Sequence, residues 1–133
     1  MKLEGGCRCG AVRYRVEGEP AHRALCHCTD CRKSSGAPMV AWAAFPEAGF
    51  TILSGEPGRY NGEGASIRHF CPTCGTPLWF VNAQVLPGLV DLPIATFDDP
   101  EVLAPEVQIQ VADRITWMSG IADLPEFERY PGE

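Results

Sequence analysis

Seven cysteines lie in three short groups, and their spacing indicates metal binding. Residues 7–10 read Cys-Arg-Cys-Gly, residues 26–31 read Cys-His-Cys-Thr-Asp-Cys, and residues 71–75 read Cys-Pro-Thr-Cys-Gly. Two thiolates separated by one or two residues can hold one metal ion from a single tight turn. An odd number of cysteines cannot pair completely into disulfides within one chain, so a complete disulfide framework is not expected.

The first and third groups both end in a glycine, and together they supply four thiolates. Gly10 and Gly75 permit the positive φ that turns backbone N–H groups toward the sulfurs. Four soft ligands in a tetrahedral arrangement select zinc over calcium or magnesium. An iron–sulfur cluster could use cysteines too, but the glycine-ended turns favour zinc. The expected ligands are Cys7, Cys9, Cys71 and Cys74.

The second group has three cysteines, Cys26, Cys28 and Cys31, and is one ligand short of a closed structural site. Three protein ligands with one open position are typical of catalytic zinc. Three thiolates make the ion a weak Lewis acid, so binding and activating an incoming thiolate is favoured over producing hydroxide. A fourth protein ligand would instead make the site structural. The candidates for that ligand are His22, His27 and His69.

Composition predicts one globular domain over residues 1–133. Hydrophobic residues make up 45% of the chain and charged residues 21%. The net charge of −6 argues against nucleic acid or an anionic membrane as a partner. No apolar stretch approaches the roughly 20 residues of a membrane span. The first residues do not resemble a signal peptide. We therefore expect a cytoplasmic protein, in a compartment where cysteines stay reduced.

Charge is unevenly distributed along the chain. Through Cys74 there are 9 Lys and Arg against 7 Asp and Glu, whereas from Gly75 onward there are 2 against 10. The basic residues closest in sequence to the cysteines suit a small anionic ligand, although a mixed solvated surface explains them equally well. These residues are Arg8, Arg32, Lys33 and Arg68.

Short strands are the elements expected to position the cysteines. Val12, Tyr14 and Val16 alternate with charged residues, which is the period of a half-buried strand. Fourteen Gly and twelve Pro separate such runs, as in a compact all-β domain. Further strands are predicted at residues 23–26, 39–44, 50–53, 66–70, 77–81, 89–95, 107–111 and 114–118. Within residues 107–111 we expect Ile109 and Val111 to face inward and the glutamines outward.

Little helix is expected. One short helical turn could start at Thr29, whose hydroxyl could cap the N–H of Cys31 or Arg32. Another could occupy residues 99–103, where Pro100 suits a first helical turn. We predict that the tail, residues 124–133, docks through Phe127 and Tyr130. His27 is flanked by candidate ligands, so it could support them or assist proton transfer, or it could only pack or lie exposed. Trp42, Trp79 and Trp117 are expected in the core.

Together these residues resemble the glutathione-dependent formaldehyde-activating enzyme family, which includes centromere protein V. The matching segments are residues 6–14, 26–33, 70–78 and 97–100, and Trp117, Leu124, Pro125 and Phe127 match the family's ending. The resemblance covers nearly the whole chain. One departure is Gln108, where a histidine is common in the family, and this puts the identity of the substrate in doubt.

The resemblance implies a mainly β, β-tent fold of twisted antiparallel sheets with two zinc ions per chain. Cys7, Cys9, Cys71 and Cys74 match the structural zinc site, and residues 26, 28 and 31 match the catalytic one. The implied reaction joins a small thiol such as glutathione to an aldehyde such as formaldehyde, and the implied class is carbon–sulfur lyase. The alternative is a non-catalytic zinc- or thiol-binding or interaction module. Methionine sulfoxide reduction is disfavoured because no eighth cysteine remains as a nucleophile.

Overall fold

The structure, a computed structural model, describes residues 1–132 and is built mainly from β-strands, as the sequence predicted. The strands are β1 (Lys2–Gly6), β2 (Arg13–Glu17), β3 (His22–Cys26), β4 (Val40–Pro46), β5 (Phe50–Ser54), β6 (Gly58–Asn61), β7 (Ser66–Phe70), β8 (Pro77–Asn82), β9 (Leu89–Pro93) and β10 (Val107–Ile109). One α-helix, α1 (Thr29–Ser35), lies between β3 and β4. The 3-10 helices are Glu47–Gly49, Ile94–Thr96, Pro100–Leu103, Val111–Asp113 and Thr116–Asp123. None of the helices in residues 1–132 is long and apolar enough to cross a membrane.

The strands form two sheets. The smaller sheet has the order β1-β2-β5, and the larger has the order β10-β3-β4-β9-β8-β7-β6. All of these pairings are antiparallel except that of β10 with β3, which is parallel. In this parallel pair Ile109 lies opposite Cys26. The last strand is thereby placed beside the start of the second cysteine group.

The main core contains side chains from both sheets. On β2, Tyr14 and Val16 are completely buried while Arg13 and Arg15 are only partly buried, which confirms the predicted alternation. The Tyr14 ring meets Phe97 edge-on at 5.3 Å, and its hydroxyl lies 2.7 Å from Thr96 Oγ1. A buried hydroxyl needs such a partner because leaving it unpaired costs about 1–3 kcal/mol.

Two strands escaped prediction, and both contain glycine. In β1, Gly5 lies against the Tyr14 side chain so closely that an added Cβ would come within 2.4 Å of Tyr14 Oη. In β6, a Cβ on Gly58 would collide with the Phe70 ring. Glycine weakens the alternating pattern by which a strand is recognised, although here close packing requires it. The strands predicted between residues 12 and 95 correspond to β2, β3, β4, β5, β7, β8 and β9, with ends shifted by a few residues.

The last two predicted strands need correction. The strand at 107–111 ends at Ile109 because Gln110 adopts a left-handed conformation with φ of 55°. Ile109 and Val111 are 40% and 47% exposed, so the prediction that they face inward is wrong. Residues 114–118 are not a strand either, because a 3-10 helix begins at Thr116 and buries Met118.

The expected packing of the chain's end is also wrong. Phe127 and Tyr130 are 56% and 74% exposed, and residue 133 lies outside the described residues. Trp117 is likewise exposed, whereas Trp42 and Trp79 are buried as predicted. The 3-10 helix at Pro100–Leu103 confirms the predicted turn, and the Asp99 side chain caps it.

Candidate functional site

Four cysteines meet where the two sheets come together. The turn between β1 and β2 carries Cys7 and Cys9, and the turn between β7 and β8 carries Cys71 and Cys74. Their Sγ atoms all lie within 4.8 Å of one another. We call this group the four-cysteine cluster. It ties the smaller sheet to the larger one through residues that are distant in sequence.

The sulfur spacing in this cluster fits a tetrahedral metal ion. Cys7 Sγ lies 3.6 Å from Cys9 Sγ, and Cys9 Sγ lies 3.8 Å from Cys71 Sγ. A tetrahedron with zinc–sulfur bonds of roughly 2.3 Å has edges of about 3.8 Å. A disulfide needs a separation of about 2.05 Å, so these thiols are free. The donor set and its dimensions therefore fit zinc.

The two turns of the four-cysteine cluster have the same backbone geometry. The N–H of Gly10 donates to the carbonyl of Cys7 at 3.1 Å, and the N–H of Gly75 donates to the carbonyl of Cys71 at 2.8 Å. Both glycines have a φ of 81°, which other residues rarely adopt. The predicted positive φ after each cysteine pair is thereby confirmed.

A threonine that sequence reasoning did not assign to a site lies beside this cluster. Thr76 Oγ1 accepts a hydrogen bond from the N–H of Arg8 at 3.0 Å and lies 3.1 Å from Cys74 Sγ. With its lone pair engaged by Arg8, the hydroxyl can donate its hydrogen to the sulfur. This bond lowers the pKa of Cys74 to about 5 and favours the thiolate. A threonine two residues after a ligand cysteine was the available signal.

The other three cysteines converge at the junction of β3 and α1, and we call them the three-cysteine cluster. Cys26 ends β3, Cys28 precedes α1, and Cys31 lies in the helix's first turn, with all three Sγ atoms within 4.8 Å of one another. Cys28 Sγ accepts a hydrogen bond from the N–H of Cys31 at 3.2 Å. The helix begins at Thr29 as predicted, but its cap is Cys28, so the predicted capping by the Thr29 hydroxyl is wrong.

Two thiols of the three-cysteine cluster have raised pKa values. Burial raises the pKa of the Cys26 and Cys31 thiols, because thiolates lose hydration there. A cation held between the three sulfurs would offset this cost by its own charge. The site thus suits a divalent ion better than it suits free thiolates.

None of the three histidines considered as a fourth ligand is grouped with the three sulfurs. His22 Nε2 lies 3.4 Å from Asp91 Oδ1, His27 Nε2 lies 2.9 Å from Gln108 Oε1, and His69 stacks on Trp79. Within residues 1–132, no histidine or carboxylate joins the three sulfurs at 4.8 Å. Among the described residues the cluster therefore has three candidate ligands.

A cavity of about 670 Å³ adjoins the three-cysteine cluster. Cys31 contributes to its wall, whereas Cys26 and Cys28 are not among the lining residues of the described chain. Two indole rings make part of the wall apolar, and two cations lie along it. These residues are Trp42, Trp79, Lys33 and Arg68.

The basic residues predicted near the cysteines have different environments. Arg68 lies over the Phe80 ring at 4.8 Å, pairs with Asp30 and lines the cavity together with Lys33. Arg32 donates instead to the His27 carbonyl at 3.3 Å. Arg8 is not a lining residue of this cavity. Two of the four candidate cations are therefore placed for an anionic ligand.

Comparisons with known proteins identify a family and several proteins that this chain resembles. The family described as "Glutathione-dependent formaldehyde-activating enzyme" matches residues 2–113. A Halomonas elongata protein named "Putative glutathione-dependent formaldehyde-activating enzyme" is 31% identical over 128 residues, covering 89% of this chain and 80% of the relative. An uncharacterized lyase of Schizosaccharomyces pombe is 28% identical over 107 residues, covering 73% of this chain and 75% of that one. A crystal structure of a Rhodobacter sphaeroides protein matches with a TM-score of 0.64 at 25% identity, covering 80% of this chain and 99% of that one.

Proposed function

This chain belongs to the glutathione-dependent formaldehyde-activating enzyme family, and from that premise we propose that it is a zinc-dependent enzyme of the carbon–sulfur lyase type. Its substrates would be a small thiol, such as glutathione, and an aldehyde, such as formaldehyde. The observation that carries the proposal is the three-cysteine cluster, which has no fourth ligand in residues 1–132 and reaches a large cavity through Cys31.

The two clusters would have separate tasks. Cys7, Cys9, Cys71 and Cys74 would hold a structural zinc, because four ligands leave no position for a substrate. Cys26, Cys28 and Cys31 would hold the second zinc. That ion, when bound, would supply an open position that accepts the substrate's sulfur and lowers its thiol pKa. Two zinc ions per chain are therefore proposed.

The cavity residues would bind and orient the thiol. Lys33 and Arg68 can pair with substrate carboxylates, and the partly buried position of Arg68 strengthens such a pair. The Trp42 and Trp79 rings limit the water around the reacting sulfur. In the reaction the thiol loses its proton, its sulfur bonds to the aldehyde carbon, and the carbonyl oxygen gains a proton. The product is an S-hydroxymethyl adduct, and the reverse reaction cleaves the same bond.

The organisation and location of the chain follow from the same features. We propose that residues 1–133 form one domain, since one buried cluster contains residues of β2, β4, β8 and β9 and therefore of both sheets. A cytoplasmic location is proposed because seven unpaired thiols require a reducing compartment.

The test follows formaldehyde and glutathione by proton NMR, with and without the zinc-loaded protein. An acceleration of adduct formation and breakdown over buffer supports the enzyme. Thiol addition to formaldehyde proceeds without help, so an absence of acceleration at saturating thiol would leave only a binding module. A thermal-shift series with glutathione and other small thiols measures binding separately, because a specific ligand stabilises the folded state by mass action.

A variant of Arg68 tests whether the cavity recognises the carboxylates of the thiol. Arg68→Leu should weaken the binding of glutathione, which carries carboxylates, about tenfold. Binding of cysteamine, a thiol without a carboxylate, should change little. An equal loss for both thiols would contradict the proposed contact, and Arg59→Leu on exposed β6 provides the matched control.

A further inference from the structure

His27 lies between two of the three clustered cysteines and is held on several sides. Its side chain is 1% exposed, its N–H donates to the Ile109 carbonyl at 3.1 Å, and its carbonyl accepts from Arg32 Nε at 3.3 Å. Because Cys26 and Cys28 flank it directly, a shift of the His27 backbone would move both neighbouring sulfurs. The position of the His27 backbone and the shape of the cluster are therefore coupled.

The ring of His27 is held by a residue of β10. His27 Nε2 lies 2.9 Å from Gln108 Oε1, and Arg114 Nη2 donates to the same oxygen at 3.2 Å. A guanidinium group only donates hydrogen bonds, so the atom facing both groups is the amide oxygen. His27 Nε2 then carries the hydrogen of this bond.

This pair is not part of the cavity wall. Neither His27 nor Gln108 is among the lining residues, and His27 Nδ1 is buried with no hydrogen-bond partner in the described residues. A substrate in the cavity would therefore meet neither side chain. Any influence of the pair on the reaction must pass through the cysteines beside His27.

Residues 108–113 contact residues 27–29 at three places. Ile109 holds the backbone of His27, Gln108 holds its ring, and Asp113 Oδ2 accepts from the N–H of Thr29 at 3.4 Å. The parallel pairing of β10 with β3 sets this register. Of the three contacts, only the one through Gln108 fixes a side chain between two ligands.

We propose that Gln108 is a positioning residue of the three-cysteine cluster, a role that rests on the metal binding in the proposed function. By accepting the hydrogen of His27 Nε2, it fixes the imidazole and with it the segment that carries Cys26 and Cys28. The sulfurs are then held ready for one ion, with the open position left toward the cavity. Arg114 supports Gln108 by directing the amide oxygen at His27.

The test compares zinc release and cobalt spectra among three variants of the full chain. Gln108→Leu keeps the size and removes the acceptor, whereas Gln108→Glu keeps an oxygen for both donors. Gln84→Leu, on the exposed loop between β8 and β9, is the matched control. Zinc leaving the loaded protein is followed with a coloured chelator, and cobalt-loaded protein is followed by its thiolate absorption bands.

We expect Gln108→Leu to weaken zinc binding at the three-cysteine cluster about tenfold, as losses of groups that orient metal ligands do. The cobalt bands of that cluster should change, while the four-cysteine cluster keeps its ion and its spectrum. Gln108→Glu should behave like the unaltered protein. The four-cysteine cluster thereby reports, in the same molecule, that the fold is intact.

Three results would overturn the inference. Unchanged zinc release and cobalt spectra in Gln108→Leu would do so, as would equal losses at both clusters or the same loss in Gln84→Leu. All these measurements are made without thiol or aldehyde. A chain that binds two metal ions but does not accelerate the reaction therefore refutes the enzyme and leaves the positioning role standing. An unaltered chain that binds only one ion refutes both.

Discussion

The four-cysteine and three-cysteine clusters differ most in how far apart their ligands lie in the chain. Cys9 and Cys71 are 62 residues apart and come from turns in different sheets. The three-cysteine cluster draws its ligands from six consecutive residues at one strand–helix junction. A cluster assembled from distant turns contributes its metal-binding free energy to the fold. A cluster formed within one short segment does not hold distant parts of the fold together, so it can leave one coordination position open.

The environments of the sulfur atoms also differ between the two clusters. Cys9 and Cys74 are exposed in the four-cysteine cluster, and the Thr76 hydroxyl lowers the pKa of Cys74 to about 5. In the three-cysteine cluster, burial raises the pKa of Cys26 and Cys31. A hydrogen bond thus favours the Cys74 thiolate, whereas Cys26 and Cys31 depend more on the ion itself.

The largest expected effect is the loss of folding in Cys74→Ser. A structural zinc contributes on the order of 10 kcal/mol to folding, against a total stability of about 5–15 kcal/mol for a typical domain. Removing one of four ligands should therefore unfold or precipitate the protein. Circular dichroism and metal analysis check this. A soluble variant with an unchanged melting temperature would contradict the structural role proposed for the four-cysteine cluster.

Cys28→Ser should instead abolish activity and preserve the fold. Serine is a strong helix N-cap, so the hydrogen bond now made by Cys28 Sγ to the N–H of Cys31 can be kept. We expect zinc to fall from two ions per chain to one and turnover to fall at least about 100-fold. The melting temperature should move by only a few degrees. Loss of both ions in this variant would contradict the comparison.

Asp91→Asn measures a pH effect that belongs to neither cluster. Burial raises the pKa of Asp91 to about 6, against the opposing influence of His22, whose Nε2 lies 3.4 Å away. The folded state then binds more protons than the unfolded state between about pH 4 and 6, so this carboxyl lowers stability as the pH rises through that window. Between pH 4 and pH 8 the stability of the variant relative to the unaltered protein should therefore rise by up to about 3 kcal/mol.

Urea unfolding of both proteins from pH 4 to 8 checks this expectation. Any acid-induced metal loss affects both proteins, so the difference between them isolates Asp91. A difference that stays constant with pH would contradict the assignment.

Thr76→Val should produce the smallest effect. It should affect only the four-cysteine cluster, whereas Gln108→Leu should affect only the three-cysteine cluster. It removes the hydroxyl that lies 3.1 Å from Cys74 Sγ, which should cost about 1 kcal/mol and speed zinc release from the four-cysteine cluster several-fold. Release from the three-cysteine cluster should stay unchanged. Thr51→Val, at an exposed position of β5, is the control. Faster release from both clusters would show that Thr76 serves the fold generally.

Sequence reasoning succeeded where chemistry or periodicity is local. The alternation around Tyr14 predicted β2, and the glycine after each cysteine pair predicted the positive φ at Gly10 and Gly75. It failed where contacts with residues distant in sequence decide the local structure. Gly5 and Gly58 interrupt the strand pattern because close aromatic side chains leave no space for a Cβ there, and Ile109 is exposed although its segment alternates.

The sequence by itself therefore determined the ligand types, their grouping and the mainly β class, because each depends on residue identity and short spacing. Only the tertiary structure decided that the two turns with the four expected ligands come from different sheets. It also left the histidines out of the three-cysteine group and brought Gln108 to His27 across a parallel strand pair. These facts depend on contacts between residues far apart in the chain, which no local pattern encodes.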